Sequence, residues 1–178
     1  MIIDIKSKEI LSNLKSTNSE FVLETLHKVR ESGNRLILEG LIDLLHDTEF
    51  LEIKKSVLNL LSELKNQESV PSFIAAIGNE KYTSEHKDLV ACCWQNGLNY
   101  KEYLPFFIDL VINKEFLIAF EAFTVIENMC GRVEDEIIDA EIIKVSEALK
   151  NTSEQKAYLL NGLLAIICDI PEKQEFND

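Results

Sequence analysis

Asn18-Ser19-Glu20-Phe21, Asp47-Thr48-Glu49-Phe50, Asn79-Glu80-Lys81-Tyr82 and Asn113-Lys114-Glu115-Phe116 are four copies of one pattern. Each copy has Asn or Asp first, a charged residue third and an aromatic residue fourth, and we call it the corner motif. A weaker copy, Asn151-Thr152-Ser153-Glu154, keeps the first residue and lacks the ring. Successive copies start 29, 32, 34 and 38 residues apart, and repetition at that period is typical of stacked two-helix units.

Each corner motif predicts the start of a helix. The side-chain oxygen of Asn or Asp accepts a hydrogen bond from a backbone N–H of the first helical turn, and a Glu in that turn suits the helix dipole. We expect the aromatic ring to fold back onto the preceding helix and to close the corner. The helix before each motif is called A and the helix after it B.

The segments around the motifs have the apolar spacing of helices that lie on a core. Pro71 and Pro105 both stand eight residues before a motif, which places them in the first turn of an A helix, where proline is tolerated. The predicted helices cover residues 7–15, 19–31, 35–46, 49–65, 70–77, 84–96, 101–112, 115–130, 135–150 and 153–170.

Two A helices and the turns after them resemble the first half of a HEAT repeat, in the armadillo-type class of folds. The stretches are Ser69-Val70-Pro71-Ser72-Phe73-Ile74-Ala75-Ala76-Ile77-Gly78-Asn79 and Leu104-Pro105-Phe106-Phe107-Ile108-Asp109-Leu110-Val111-Ile112-Asn113. The resemblance extends over residues 18–170. It implies an all-α, right-handed α-solenoid of about four to five HEAT-like helix pairs, with B helices on the concave face. We therefore predict one HEAT-like repeat domain over residues 1–170 and a polar C-terminal tail over 171–178.

The chain departs from the HEAT pattern in two respects. The Val-Arg pair usual early in helix B is absent, and the period is shorter than the ~40–47 residues typical of HEAT and armadillo units. Tetratricopeptide units have a closer period, but the chain lacks their Trp, Gly and Tyr signature.

Composition narrows the range of partners. The net charge is −13, from 31 acidic and 18 basic residues, and Lys54-Lys55 is the only adjacent basic pair. Such a field repels a phosphate backbone, so we expect no nucleic-acid partner. No apolar run approaches the ~18–20 residues of a membrane span, so we expect no membrane partner. Four cysteines without a disulfide framework and an N-terminus unlike a signal peptide predict a cytoplasmic protein.

A polar strip interrupts two of the most apolar B helices, and we predict that it binds a partner. Its members are Trp94, Gln95, Asn96, Glu121, Glu127 and Asn128. Trp94 and Cys93 have an alternative interpretation, in which they fill the core between units, while Gln95 and Asn96 are expected to point outward. For the strip as a whole, ordinary solvation of a helix face is the alternative.

No residue pattern in the sequence indicates catalysis, a cofactor or a metal. Cys92 and Cys93 lack Cys-x-x-Cys spacing. The acidic cluster at 134–141 lacks the Gly and the terminal Glu of a calcium loop, and it suits a helix N-terminus. The three histidines, which are expected at the surface or at helix ends, are His27, His46 and His86.

These observations predict a non-catalytic module that binds a protein or peptide on the concave B-helix face, with a basic partner segment favoured by charge. The alternative is an enzyme or small-ligand binder with a carboxylate-lined pocket, as the HEAT-like scaffolds of bilin lyases and DNA glycosylases imply. Fold alone does not separate the two functions. A deep pocket enclosing several carboxylates favours the alternative, and an open groove favours the interaction module.

Overall fold

The structure, a computed structural model, describes residues 5–29 and 35–169. The described residues form ten α-helices and no strand, which confirms the all-α class. The helices are Ile5–Leu14 (α1), Ser19–Val29 (α2), Arg35–Asp47 (α3), Leu51–Ser62 (α4), Val70–Ile77 (α5), His86–Asn96 (α6), Leu104–Asn113 (α7), Phe116–Glu127 (α8), Asp135–Ala148 (α9) and Glu154–Asp169 (α10). Short 3-10 turns cover Gln67–Ser69, Glu80–Glu85, Lys101–Tyr103 and Leu149–Asn151. The polar tail predicted at 171–178 lies outside the described residues.

The chain forms two compact units, the first ending at Leu98 and the second beginning at Asn99. In the first unit, the A helices α1, α3 and α5 contact one another in sequence, and so do the B helices α2, α4 and α6. In the second unit, α7 contacts α9 and α8 contacts α10. Each unit therefore places A helices beside A helices and B helices beside B helices.

Both units have cores built from the apolar stripes of the sequence. In the first unit Leu26, Leu61 and Phe73 are completely buried. In the second unit Tyr100 packs edge-on against Phe107 with ring centroids 5.6 Å apart. Prolines occupy the first turn of both α5 and α7, as predicted, because an amide nitrogen there has no intrahelical acceptor to lose.

Two glycines serve particular backbone needs in the first unit. Gly97 ends α6 in the left-handed region, with φ of 66°, where a residue without Cβ is favoured. At Gly40 an added Cβ would overlap the side chain of Leu11, so glycine permits the close approach of α1 and α3.

The corner motif begins a helix in three different registers. Asn18 and Asn79 behave as predicted: their Oδ1 atoms accept hydrogen bonds from the backbone N–H groups of Phe21 and Lys81. In the second and fourth copies the first motif residue, Asp47 or Asn113, is instead the last residue of the preceding A helix. At the second corner the hydroxyl of Thr48 accepts from the N–H of Phe50.

The aromatic residues of the motif differ in exposure and in their contacts. The ring of Tyr82 makes an edge-on contact with His46 at 5.7 Å; His46 lies on α3, the A helix of the previous pair, whereas the helix that directly precedes the motif is α5. Phe50 is 58% exposed, so the prediction of a ring packed onto the preceding helix is wrong there. Phe50 is the extended residue directly before α4, while Phe116 is the first residue of α8 and is half-buried. Phe21 is also partly exposed, at 39%.

Candidate functional site

The third corner motif is joined to α3 by a polar cluster. Asp43, on α3, forms an ion pair with Lys81. The Tyr82 hydroxyl donates a hydrogen bond of 2.8 Å to the same Asp43 oxygen. The Lys81 ammonium also lies 4.9 Å from the centre of the Tyr82 ring, within cation–π range. One carboxylate thus fixes both side chains of the motif.

The cluster changes the ionisation of its members. Burial by itself raises the pKa of Asp43. The hydrogen bonds from Lys81 and Tyr82, together with attraction from Lys81 and Lys15, outweigh burial, so the pKa of Asp43 lies below its ordinary value. The pKa of Tyr82 is raised by burial and by the neighbouring Asp43 carboxylate. Asp43 is therefore an anion that already has its positive partners.

A second cluster lies one helical turn further along α3. His46 donates from Nδ1 to the Glu85 carboxylate at 3.0 Å, and the Ser84 hydroxyl donates to the other oxygen of Glu85 at 2.9 Å. The side chain of Glu85 is buried, and a buried carboxyl group needs hydrogen-bond partners. The order of contacts is Ser–Glu–His, whereas a nucleophilic triad requires the hydroxyl to contact the imidazole. These contacts attach the 3-10 turn Glu80–Glu85 to α3.

A groove of about 530 Å³ lies beside these clusters in the first unit. Its floor includes the buried side chains of Leu14, Val22 and Ile53. Its charged and aromatic lining comes from α3, from the turns that follow α1 and α3, and from the third motif, and consists of Lys15, Asp43, Asp47, Glu49, Phe50 and Lys81. The groove combines an apolar floor with a charged rim, and we call it the corner groove.

The three strip residues predicted on α6 have different surroundings. Trp94 is 37% exposed, so most of its surface is buried, and Cys93 is buried. Gln95 is exposed, as predicted. Asn96 is 1% exposed, so the expectation that it points outward is wrong. Its Oδ1 accepts from the N–H of Leu98 at 2.9 Å, which fixes the end of α6.

The other three strip residues lie at the surface of α8 in the second unit. Glu121 is half-buried, while Glu127 and Asn128 are exposed. The Asn128 amide donates to the carbonyl of Thr124 at 2.8 Å, so it also closes the end of its helix. Trp94, Gln95 and Asn96 belong to the first unit and Glu121, Glu127 and Asn128 to the second, and a single continuous strip remains a prediction.

The solvent face of α8 is more apolar than the sequence suggested. Successive residues of an α-helix are rotated by about 100° around its axis. On one side of α8, the side chains that are not buried therefore fall within an arc of about 120°. They are Leu117, Phe120, Glu121, Thr124, Glu127 and Asn128. Leu117 and Phe120 are 56% and 48% exposed. On the contacting helix α10, Tyr158 is 83% exposed. We call these six residues, of which five belong to α8 and Asn128 directly follows it, together with Tyr158, the α8–α10 face.

The cysteines are free thiols in different surroundings. Cys92 and Cys93 are buried, and Cys130 and Cys168 are exposed. Burial, with repulsion from Asp88, raises the pKa of Cys92 to about 12. Within residues 5–29 and 35–169, no group of three or more His, Cys, Asp or Glu side chains is arranged to hold a metal ion. In the same ranges no helix has the length and apolar character that a membrane span needs.

Sequence reasoning missed the contacts of Asp43 and Glu85, although one signal was present. The third motif has Tyr where the other three copies have Phe, and a partly buried tyrosine usually finds a partner for its hydroxyl. The histidines were predicted correctly at helix ends: His27 and His46 lie in last turns and His86 is the first residue of α6.

No protein-family model matches the chain, and a comparison with curated proteins finds no significant match.

Proposed function

We propose that the chain is a non-catalytic interaction module of HEAT-like helix pairs, arranged as a right-handed solenoid, which holds a protein or peptide segment on the exposed face of its B helices. Support for the pairing comes from the contacts within each unit, where A helices contact A helices and B helices contact B helices. Solenoids present such a helix layer as an extended binding surface.

The observation that carries the binding function is the α8–α10 face. Large apolar side chains are normally buried, yet Leu117, Phe120 and Tyr158 are each about half exposed or more. They are accompanied by the carboxylates of Glu121 and Glu127. An aromatic and aliphatic patch beside charged groups is typical of protein interfaces, where the apolar residues supply affinity and the charges select the partner.

Charge favours a basic partner. The total of −13 attracts a cationic segment over long range, and Glu121 and Glu127 provide carboxylates on the face itself. Exposed carboxylates contribute mainly to the association rate and to selectivity. The buried apolar area supplies most of the affinity.

The alternative, an enzyme or small-ligand binder, is favoured by one observation, the three carboxylates that line the corner groove. Asp47 and Glu49 are exposed, and Asp43 is held by Lys81 and Tyr82. None of the three is enclosed in the apolar surroundings that tune a general acid or base. We therefore favour binding over catalysis.

The test is affinity capture from a lysate of the source cells, with identification of the retained proteins by mass spectrometry. The variant Glu121→Lys with Glu127→Lys reverses charge on the face, and Phe120→Ala removes its ring. A matched control, Glu136→Lys with Asp139→Lys, makes the same charge change at exposed positions of the A helix α9. We expect one specific protein to be retained by the wild type and the control and lost from both face variants. Equal retention by all four well-folded proteins would show that the face does not bind it.

A further inference from the structure

The charged lining of the corner groove carries a net charge of −1, from the carboxylates of Asp43, Asp47 and Glu49 and the ammonium groups of Lys15 and Lys81. Lys81 is paired with Asp43. Asp47 and Glu49 are exposed and form no ion pair with another described residue. These two carboxylates outnumber the exposed ammonium group of Lys15. A cation fits this rim better than an anion does.

An exposed aromatic ring lines the same groove as the two available carboxylates. Phe50 follows Glu49 directly and lines the groove, with 58% of its surface exposed. At the equivalent position of the third motif, Tyr82 is used to hold the corner together. Phe50 has no such structural task, and its ring is open to a ligand.

Arginine is the side chain that fits these neighbours. Its planar guanidinium stacks on an aromatic face and pairs with carboxylates in a bidentate geometry. Lysine offers a point charge without the stacking plane. The methylene stem of arginine can also lie along apolar surface while its charged end stays in water, and the buried side chains of Leu14, Val22 and Ile53 provide that surface.

We propose that the corner groove binds an extended segment of a partner protein, with an arginine stacked on Phe50 beside Asp47 and Glu49 and a neighbouring apolar side chain on the floor. The rim is open, since Lys15, Asp47, Glu49 and Phe50 are all exposed, so a chain can continue beyond the groove. The volume of about 530 Å³ accommodates the apolar side chain together with the arginine stem. The net charge of −13 attracts such a segment.

This site is formed only by residues of the first unit, and it does not depend on the α8–α10 face. A partner that bound both surfaces would gain avidity from two weak contacts. Each contact can be tested by itself, because the residues of the two surfaces are different.

The test uses fluorescent eight-residue peptides of Gly and Ser that carry one Arg and one Leu, at separations from adjacent to four apart. Matched peptides replace Arg by the neutral isostere citrulline, or Leu by Ala. Binding is measured by fluorescence anisotropy at low salt. At the best separation we expect the Arg peptide to bind at least about tenfold more tightly than its citrulline counterpart, as loss of a paired and stacked charge implies.

The chain offers matched controls at adjacent positions. Phe50→Ala and Glu49→Lys change the groove, whereas Leu51→Ala and Glu52→Lys change exposed residues of the same helix start that do not line it. We expect about a tenfold loss of affinity from each groove variant and less than about a twofold change from each control. The variant Glu121→Lys with Glu127→Lys should bind the peptide like the wild type, which separates this site from the α8–α10 face.

Several outcomes would overturn the proposal. They are the absence of binding to any Arg peptide, equal binding of Arg and citrulline peptides, and equal losses in groove and control variants. Binding of free N-acetyl-arginine amide as tightly as the peptide would show a small-cation site instead of a docking site. Thermal melts by circular dichroism check each variant, and Phe50→Leu and Glu49→Gln replace any variant that does not fold.

Discussion

The corner motif places an aromatic residue at the same position four times, yet the structure predicts very different contributions of these rings to stability. The most informative substitution is Tyr82→Phe, which removes only the hydroxyl. The ring contact with His46 at 5.7 Å and the position under Lys81 are retained. The loss is one hydrogen bond of 2.8 Å to the Asp43 carboxylate.

The expected magnitude follows from the surroundings of that bond. A hydrogen bond to a charged group contributes about 1.5–3 kcal/mol when it is shielded from water. Here the Asp43 side chain is 46% exposed, so water replaces part of the lost interaction, and we expect a cost of about 1 kcal/mol. For a chain of this length, that corresponds to a fall in Tm of about 2–4 °C. Tyr82→Ala also removes the ring contacts and should cost about 3 kcal/mol.

The comparison with Phe50 makes the reasoning testable. Phe50→Ala changes the same motif position, but the ring is 58% exposed, so we expect a cost of about 0.5 kcal/mol or less. Tyr158→Phe is a control for loss of a hydroxyl, because that residue is 83% exposed and its substitution should leave Tm unchanged. Urea unfolding and thermal melts followed by circular dichroism give the values. If Phe50→Ala lowers the free energy of unfolding as much as Tyr82→Ala does, the burial of the aromatic residue does not determine its contribution to stability.

Two further predictions concern ionisation. Because the pKa of Asp43 is lower in the folded chain than in the unfolded chain, its ion pair stabilises the fold above the unfolded pKa of about 4 and loses that effect as the pH falls below it. The stability difference between wild type and Asp43→Asn should therefore shrink between pH 7 and pH 3 in urea unfolding series; a difference that grows on acidification would contradict the assignment. Because Cys92 is buried and its pKa is about 12, it should react with a maleimide much more slowly at pH 8 than the exposed Cys130 and Cys168. Peptide mass spectrometry measures the labelling of each thiol. Equal labelling of all three in the folded chain would contradict burial of Cys92.

The sequence determined the helical architecture because its signals are local. Apolar spacing and the proline positions predicted every helix, and the span 70–77 was predicted with the bounds that α5 has. Asn18 and Asn79 were identified as helix caps for the same reason, since a cap bond joins residues two or three positions apart. The exposure of Gln95 also followed from its place on an amphipathic helix.

Only the tertiary structure decided how these local elements are used. The sequence does not show that Phe50 is left largely exposed, or that Asp43 meets Lys81 and Tyr82 almost forty residues later. These outcomes depend on packing between elements distant in the chain, where differences of about 1 kcal/mol between alternative contacts select one arrangement. A repeated local pattern therefore predicted that a helix follows each corner, and contacts with other helices decided whether each motif side chain holds the fold together or remains exposed.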